Sequence, residues 1–150
     1  MHNLNPSLGH ASVDTEVIGS AVPTYSIGFY ANPGYYISNI ARVNTSTRIS
    51  GFVYGQTVET YTVSNTGSNL NVYVQFAANR NVTYSAGLGS GSVPTEQTHP
   101  YGDTFTVASA SGLSRSGFSF AGWSDGTNTY QPGDSYTVAS FDVTLKEATV

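Results

Sequence analysis

"GFSFAGWSDGTNTYQPGD", residues 117–134, contains the only tryptophan of the 150-residue chain, Trp123. Phe118 and Phe120 alternate into Gly122-Trp123, which sets large apolar side chains on a short strand. Aromatic side chains bury about 150–250 Å² each, enough to dominate a small core. Asp125-Gly126 favours a primed hairpin turn, and Pro132-Gly133 centres a second turn. Gly117 and Gly122 allow close backbone approach or positive φ. The stretch therefore reads as the packing device of a β module, with Phe118, Phe120 and Trp123 in its core. The same loop offers Asp125, Asn128 and Asp134 as hard oxygen donors for calcium. Their spacing matches no regular calcium loop and no third carboxylate clusters with them, so neither metal nor cofactor is expected.

The β signal extends outward in both directions. Around this stretch lie "VTYSA" (82–86), "DTFTVASA" (103–110), "DSYTV" (134–138) and "FDVTL" (141–145), with a flexible "GLGSGSVP" at 87–94. In the first half, "YSIGFY" (25–30), "VETYTV" (58–63) and "LNVYVQF" (70–76) alternate, the last placing Leu70, Val72, Val74 and Phe76 on one face. "YYISNIARV" (35–43) carries Ile37, Ile40 and Val43 at a helix-like spacing of three, but its Tyr, Ile and Val content and the adjacent "NPG" turn favour a strand. No well-capped amphipathic helix of ten residues is present. Residues 1–24 differ in composition. Within them "SVDTEVIGSAV" (12–22) sets Val13, Thr15 and Val17 on one face, either a disordered arm or a donor strand seeking a sheet. The expected fold class is mainly β: an N-terminal arm (1–24), a small antiparallel sheet or sandwich (25–78) and a β-grasp-like module (81–150).

Charged residues make up 9% of the chain, against about 25% in a typical globular domain. Five basic residues and a net charge of −4 exclude the clustered lysine and arginine that nucleic acid requires. No apolar run reaches the roughly 20 residues needed to span a bilayer as a helix, so membrane insertion is not expected. The chain has no cysteine, hence no disulfide and no thiolate metal site. "MHNLNPSLGH" (1–10) has neither the basic start nor the apolar core of a secretion signal. The expectation is a cytosolic protein or the mature piece of an exported one, and the Ser-, Thr-, Asn- and Tyr-rich composition favours the second.

The second half carries a family pattern in order: a strand with Tyr84, a Gly-rich turn, "VPT" (93–95), "YGDT" (101–104), "SGFSFAGW" (116–123), "YQPGD" (130–134) and "DVTL" (142–145). It resembles the Listeria–Bacteroides repeat, the internalin B-repeat type of module, over nearly all of residues 82–145. "KEATV" (146–150) stands where that family ends on an aromatic strand closing with Trp. The first half is more loosely similar to another bacterial surface repeat, through Asn32 to Val43, Tyr61 to Asn65 and Leu70 to Phe76. The resemblance implies β-grasp-like or sandwich-like units in tandem on extracellular or cell-surface proteins. It also implies roles as spacers, adhesive stalks or partner-binding modules, without enzymatic activity.

Catalytic patterns are thin. His2 and His10 lie in the arm, His99 precedes Pro100 at a turn, and no nucleophile elbow is present. "GLGSGS" (87–92) lacks the lysine and following helix of a phosphate loop. Lys146, the sole lysine, sits near the terminus, which argues against an internal isopeptide bond. Three non-enzymatic expectations follow. The first is a passive tandem adhesin or spacer. The second is a filament subunit that self-associates through sheet edges, with the arm as donor strand. The third is a glycan binder using outward-facing Tyr30, Tyr35, Tyr36 or Tyr73. The first two follow from sheet edges with little charge to defend them, and the third from the aromatic rings.

Overall fold

The computed structural model describes residues 2–3, 7–11, 24–42, 51–64 and 72–150, and these form strands, turns and connecting segments with no helix. Val13, Thr15, Val17, Val43 and Leu70 lie outside the described residues. The fold is mainly β. The chain divides into two compact units, Met1–Ala78 and Asn79–Val150.

The first unit contains β1 (His2–Asn3), β2 (Gly9–Ala11), β3 (Thr24–Ala31), β4 (Tyr35–Arg42), β5 (Val58–Ser64) and β6 (Val72–Ala78). They make two three-stranded sheets, β1-β6-β4 and β2-β3-β5. Ile27 and Phe29 from one sheet pack against Ile37, Ile40, Val72 and Val74 from the other, with Phe76 partly buried beside them. Alternation explains β3 and β6, since every second residue faces inward. It does not explain β4. There the pairing with β6 runs Ile37↔Phe76 and then Asn39↔Gln75, so Ser38 is an extra residue. This bulge returns Ile40 to the face of Ile37 and accounts for the spacing of three without a helix.

Part of the expected arm belongs to this unit. β1 lies parallel to β6, with His2↔Tyr73 and Asn3↔Val74. β2 pairs antiparallel with β3, from Gly9↔Ala31 to Ala11↔Phe29. Gly9 is wedged so closely that a Cβ there would strike the Tyr30 carbonyl and the Phe76 ring. The unit thus begins well before residue 25, because β3 and β6 each need a further partner for their backbone groups.

The second unit contains β7 (Arg80–Ser85), β8 (Ser90–Gly91), β9 (Gln97–His99), β10 (Thr104–Thr106), β11 (Leu113–Ser114), β12 (Phe120–Ser124), β13 (Thr129–Tyr130), β14 (Ser135–Thr137) and β15 (Val143–Thr149). Its main sheet runs β13-β12-β15-β7-β9, with β10-β14 and β11-β8 as separate two-stranded pairs. β15 lies at the centre, parallel to β7 and antiparallel to β12. Val82, Tyr84, Val107, Trp123, Tyr136, Val143 and Leu145 form the core, with Phe120 partly buried against it.

Phe118 is not a core residue. It is 50% exposed and its ring lies 3.8 Å from the Arg115 guanidinium carbon. The reason is local: Phe118 N–H bonds the Arg115 carbonyl in a turn, and the strand begins only at Phe120. The alternation from 118 to 122 is then interrupted by a register shift between Phe120 and Gly122. Like the bulge in β4, this shift lets two large residues three apart, Phe120 and Trp123, contact each other at the core, with ring centroids 5.4 Å apart.

Candidate functional site

Trp123 and the hairpin that follows it are the most elaborate side-chain arrangement in the second unit. The indole is fully buried and meets Tyr84 edge-on at 4.8 Å. Its Nε1–H donates to the Ala108 carbonyl at 2.9 Å, while the Ala108 N–H donates to the Tyr84 hydroxyl at 3.1 Å. One peptide segment is thereby held by both aromatic residues, and the polar handle of each is satisfied inside the core. Gly122 makes this possible. Its φ is +131°, and a Cβ there would come within 2.6 Å of Thr129 Cγ2 and 2.8 Å of the Tyr130 carbonyl.

The carboxylates beyond Trp123 close turns. Asp125 Oδ1 accepts from the backbone N–H groups of Thr127 at 2.8 Å and Asn128 at 2.7 Å, and Oδ2 accepts from the Tyr130 hydroxyl at 3.2 Å. Asp134 Oδ2 accepts from the Gln131 N–H at 2.7 Å. The Asp125 bonds are Asx-type turn bonds, in which the side chain takes the place of a backbone acceptor, and Asp134 reaches back to close the turn that precedes it. The bond from Asn128, with those from Thr127 and Tyr130, outweighs partial burial and holds the Asp125 carboxyl below its ordinary value. Burial pushes the Tyr130 hydroxyl up, and the Asp125 charge adds to it. Burial likewise raises Tyr136, whose ring meets Tyr130 at 4.9 Å. Asp125, Asn128 and Asp134 thus sit in one hairpin region, but their contacts with the chain are those of turn closure. Among the described residues, no group of three or more histidine or carboxylate side chains is placed to hold a metal ion.

His99 is also engaged by its neighbours. Nδ1 lies 2.9 Å from Asp103 Oδ2 and Nε2 3.0 Å from Gln97 Oε1, and the ring stacks on Phe105 at 4.8 Å. The stack and the two polar contacts fix a turn near the edge strand β9.

The tyrosines expected to face outward separate into different environments. Tyr30 is 37% exposed and stacks on His10 at 5.1 Å. Tyr35 and Tyr73 are half-buried. Tyr36 is buried, contrary to expectation: its hydroxyl lies 2.7 Å from that of Tyr54 and the rings meet edge-on. The partner comes from the turn-rich segment 51–57, whose contact with β4 no periodicity announces. The Arg115–Phe118 and His10–Tyr30 stacks were equally hidden, since neither follows from alternation. Tyr30 and Tyr73 lie in different sheets of the first unit.

No family model, curated protein or solved structure matches this chain. Among the described residues no helix is long and apolar enough to cross a membrane.

Proposed function

We propose that the chain is a non-enzymatic structural or adhesive segment of a bacterial extracellular or cell-surface protein, its two units serving as tandem modules, the second of the Listeria–Bacteroides repeat kind and the first of another surface-repeat kind. The observation that carries this reading is the employment of the chemically suggestive side chains in architecture. Trp123 is sealed in the core on the Ala108 carbonyl, and Asp125 and Asp134 close turns. Each unit also has its own apolar cluster, as a repeat that must stand beside others requires. Low charge and a surface rich in hydroxyl and amide groups suit an exposed spacer better than an electrostatically steered binder.

Protease shaving of intact cells that express the parent protein tests the reading. Fragments covering residues 79–150 should be released from the cell surface or recovered from the medium. Recovery only from the cytosolic fraction overturns the proposal.

A second reading, glycan contact, is favoured by the exposed Tyr30 ring and its His10 stack, an aromatic surface of the type sugars pack against. Glycan-array binding that disappears in Tyr30→Ala supports it, and a blank array removes it.

A further inference from the structure

We propose that the second unit is a mechanical clamp that resists tension applied between its own ends. The argument starts from the pairing of its first and last strands. β7 opens the unit and β15 closes it, and the two run parallel in the register Val82↔Val143, Thr83↔Thr144, Tyr84↔Leu145 and Ser85↔Lys146. In a parallel pair, the start of one strand lies beside the start of the other. Tension between the N-terminus of β7 and the C-terminus of β15 therefore slides the strands past each other along their length. Every hydrogen bond of the ladder is strained together, and none opens before the rest. The same ladder pulled from the two strand starts would open one bond at a time.

Three further features reinforce the sliding direction. The Asn81 N–H donates to Asp142 Oδ1 at 2.8 Å, extending the ladder before its first pair. Thr83 and Thr144 bring their hydroxyls within 3.0 Å across the strands. On its other side β15 is held by β12, from Ser124↔Lys146 to Phe120↔Thr149, and Val150 exchanges two backbone bonds with Ser119. Beneath the ladder Val82, Tyr84, Val143 and Leu145 are buried, so water cannot readily replace the strained bonds. The strand under tension is thus the central strand of the sheet, not an edge. Use of this resistance in the cell rests on the stalk reading above, whereas the resistance itself is a property of the unit.

The test takes advantage of a chain without cysteine, into which attachment points for DNA handles can be introduced singly. Two versions of the full chain are pulled in optical tweezers. Asn81→Cys with Val150→Cys loads the ladder in sliding, and Asn81→Cys with Ser140→Cys loads it in opening. All three positions are exposed, and the bond from Asn81 to Asp142 uses the backbone N–H, which substitution retains. Buried-type emission from Trp123 certifies that each version is folded before it is pulled. A second opening pair, Asn81→Cys with Phe141→Cys, repeats the weak direction independently. The unit should yield at a several-fold higher force in sliding than in either opening geometry. Equal forces in the two directions overturn the clamp wherever the chain resides. A chain confined to the cytosol overturns the stalk and leaves the force ratio unchanged.

Discussion

Both units pair their first strand parallel to their last, yet they do so to different extents. In the first, β1 contributes two residues opposite Tyr73 and Val74 of β6. In the second, β7 and β15 match over four pairs, and β15 is the centre of a five-stranded sheet. β6 is central too, and among the described residues its parallel pairing covers two residues. The contrast teaches that a shared connectivity can carry unequal resistance, because resistance follows the number of bonds strained together. Under tension applied to the two ends of the chain, the first unit should therefore yield before the second, with the order read from unfolding traces of the intact chain and of Trp123→Ala.

The largest equilibrium effect is expected from Trp123→Ala itself. Removing a fully buried indole and its bond to Ala108 should cost about 3–5 kcal/mol, and the loss should fall on the second unit alone. Amide exchange measured by mass spectrometry should accelerate in residues 79–150 and not in 24–78. Acceleration across both units would mean that the two cores act as one.

Deleting residues 1–11 should affect the opposite unit. It removes β1 and β2, exposing one edge each of β6 and β3 and uncovering Phe76 beside Gly9. A lower first transition, with the Trp123 fluorescence transition in urea unchanged, is the expected result. An unchanged first transition would show that the two short strands are accessory.

A smaller effect should divide the units by pH. Asp125 has its folded-state pKa lowered, so its stabilisation is present above the unfolded value near pH 4 and is lost as pH falls through the folded one. Tyr130 and Tyr136 are raised, so their contribution is complete below about pH 10 and declines as pH rises through their folded values. The urea midpoint reported by Trp123 should fall at both extremes. In Asp125→Asn the acid branch should flatten, and an identical acid branch would refute the assignment.

The smallest change is expected from Phe118→Ser. The ring is half exposed and retains mainly its stack with Arg115, so the cost should be about 0.5–1 kcal/mol in thermal unfolding. A cost near that of a core phenylalanine would restore Phe118 to the core.

The sequence disclosed the strands wherever apolar residues alternate without interruption. β6, with Val72 and Val74 buried, is the clearest instance, and β7 and β15 behave alike through Val82, Tyr84, Val143 and Leu145. Alternation misleads where a strand carries an extra residue or has not yet begun. In β4 it suggests a helix, and before β12 it draws Phe118 into a core that the chain has not yet entered. The causes differ: in β4 a bulge shifts the phase of the inward face, whereas Phe118 lies in a turn before its strand begins, and alternation records neither a bulge nor a strand's starting point. The roles of Asp125 and Asp134 were half legible. Asp-Gly and Pro-Gly marked the turns, but the use of both carboxylates to close them depends on backbone geometry that residue type alone does not specify. The parallel closure of each unit was not legible, since pairing between distant strands leaves no local mark.

The bulge at Ser38 has a consequence for solubility. Among the described residues β4 is an outer strand of its sheet, and the only lysine of the chain, Lys146, sits in the central strand of another. Arg42, at the end of β4, is the only charged residue of this strand. Ile37 gives its N–H to the Gln56 carbonyl at 2.8 Å and takes a bond from the Gly55 N–H at 3.3 Å, next to a kink that spoils a flat template. A protein nearly devoid of lysine can in this way discourage amyloid-like stacking by occupying and bending an edge as well as by charging it.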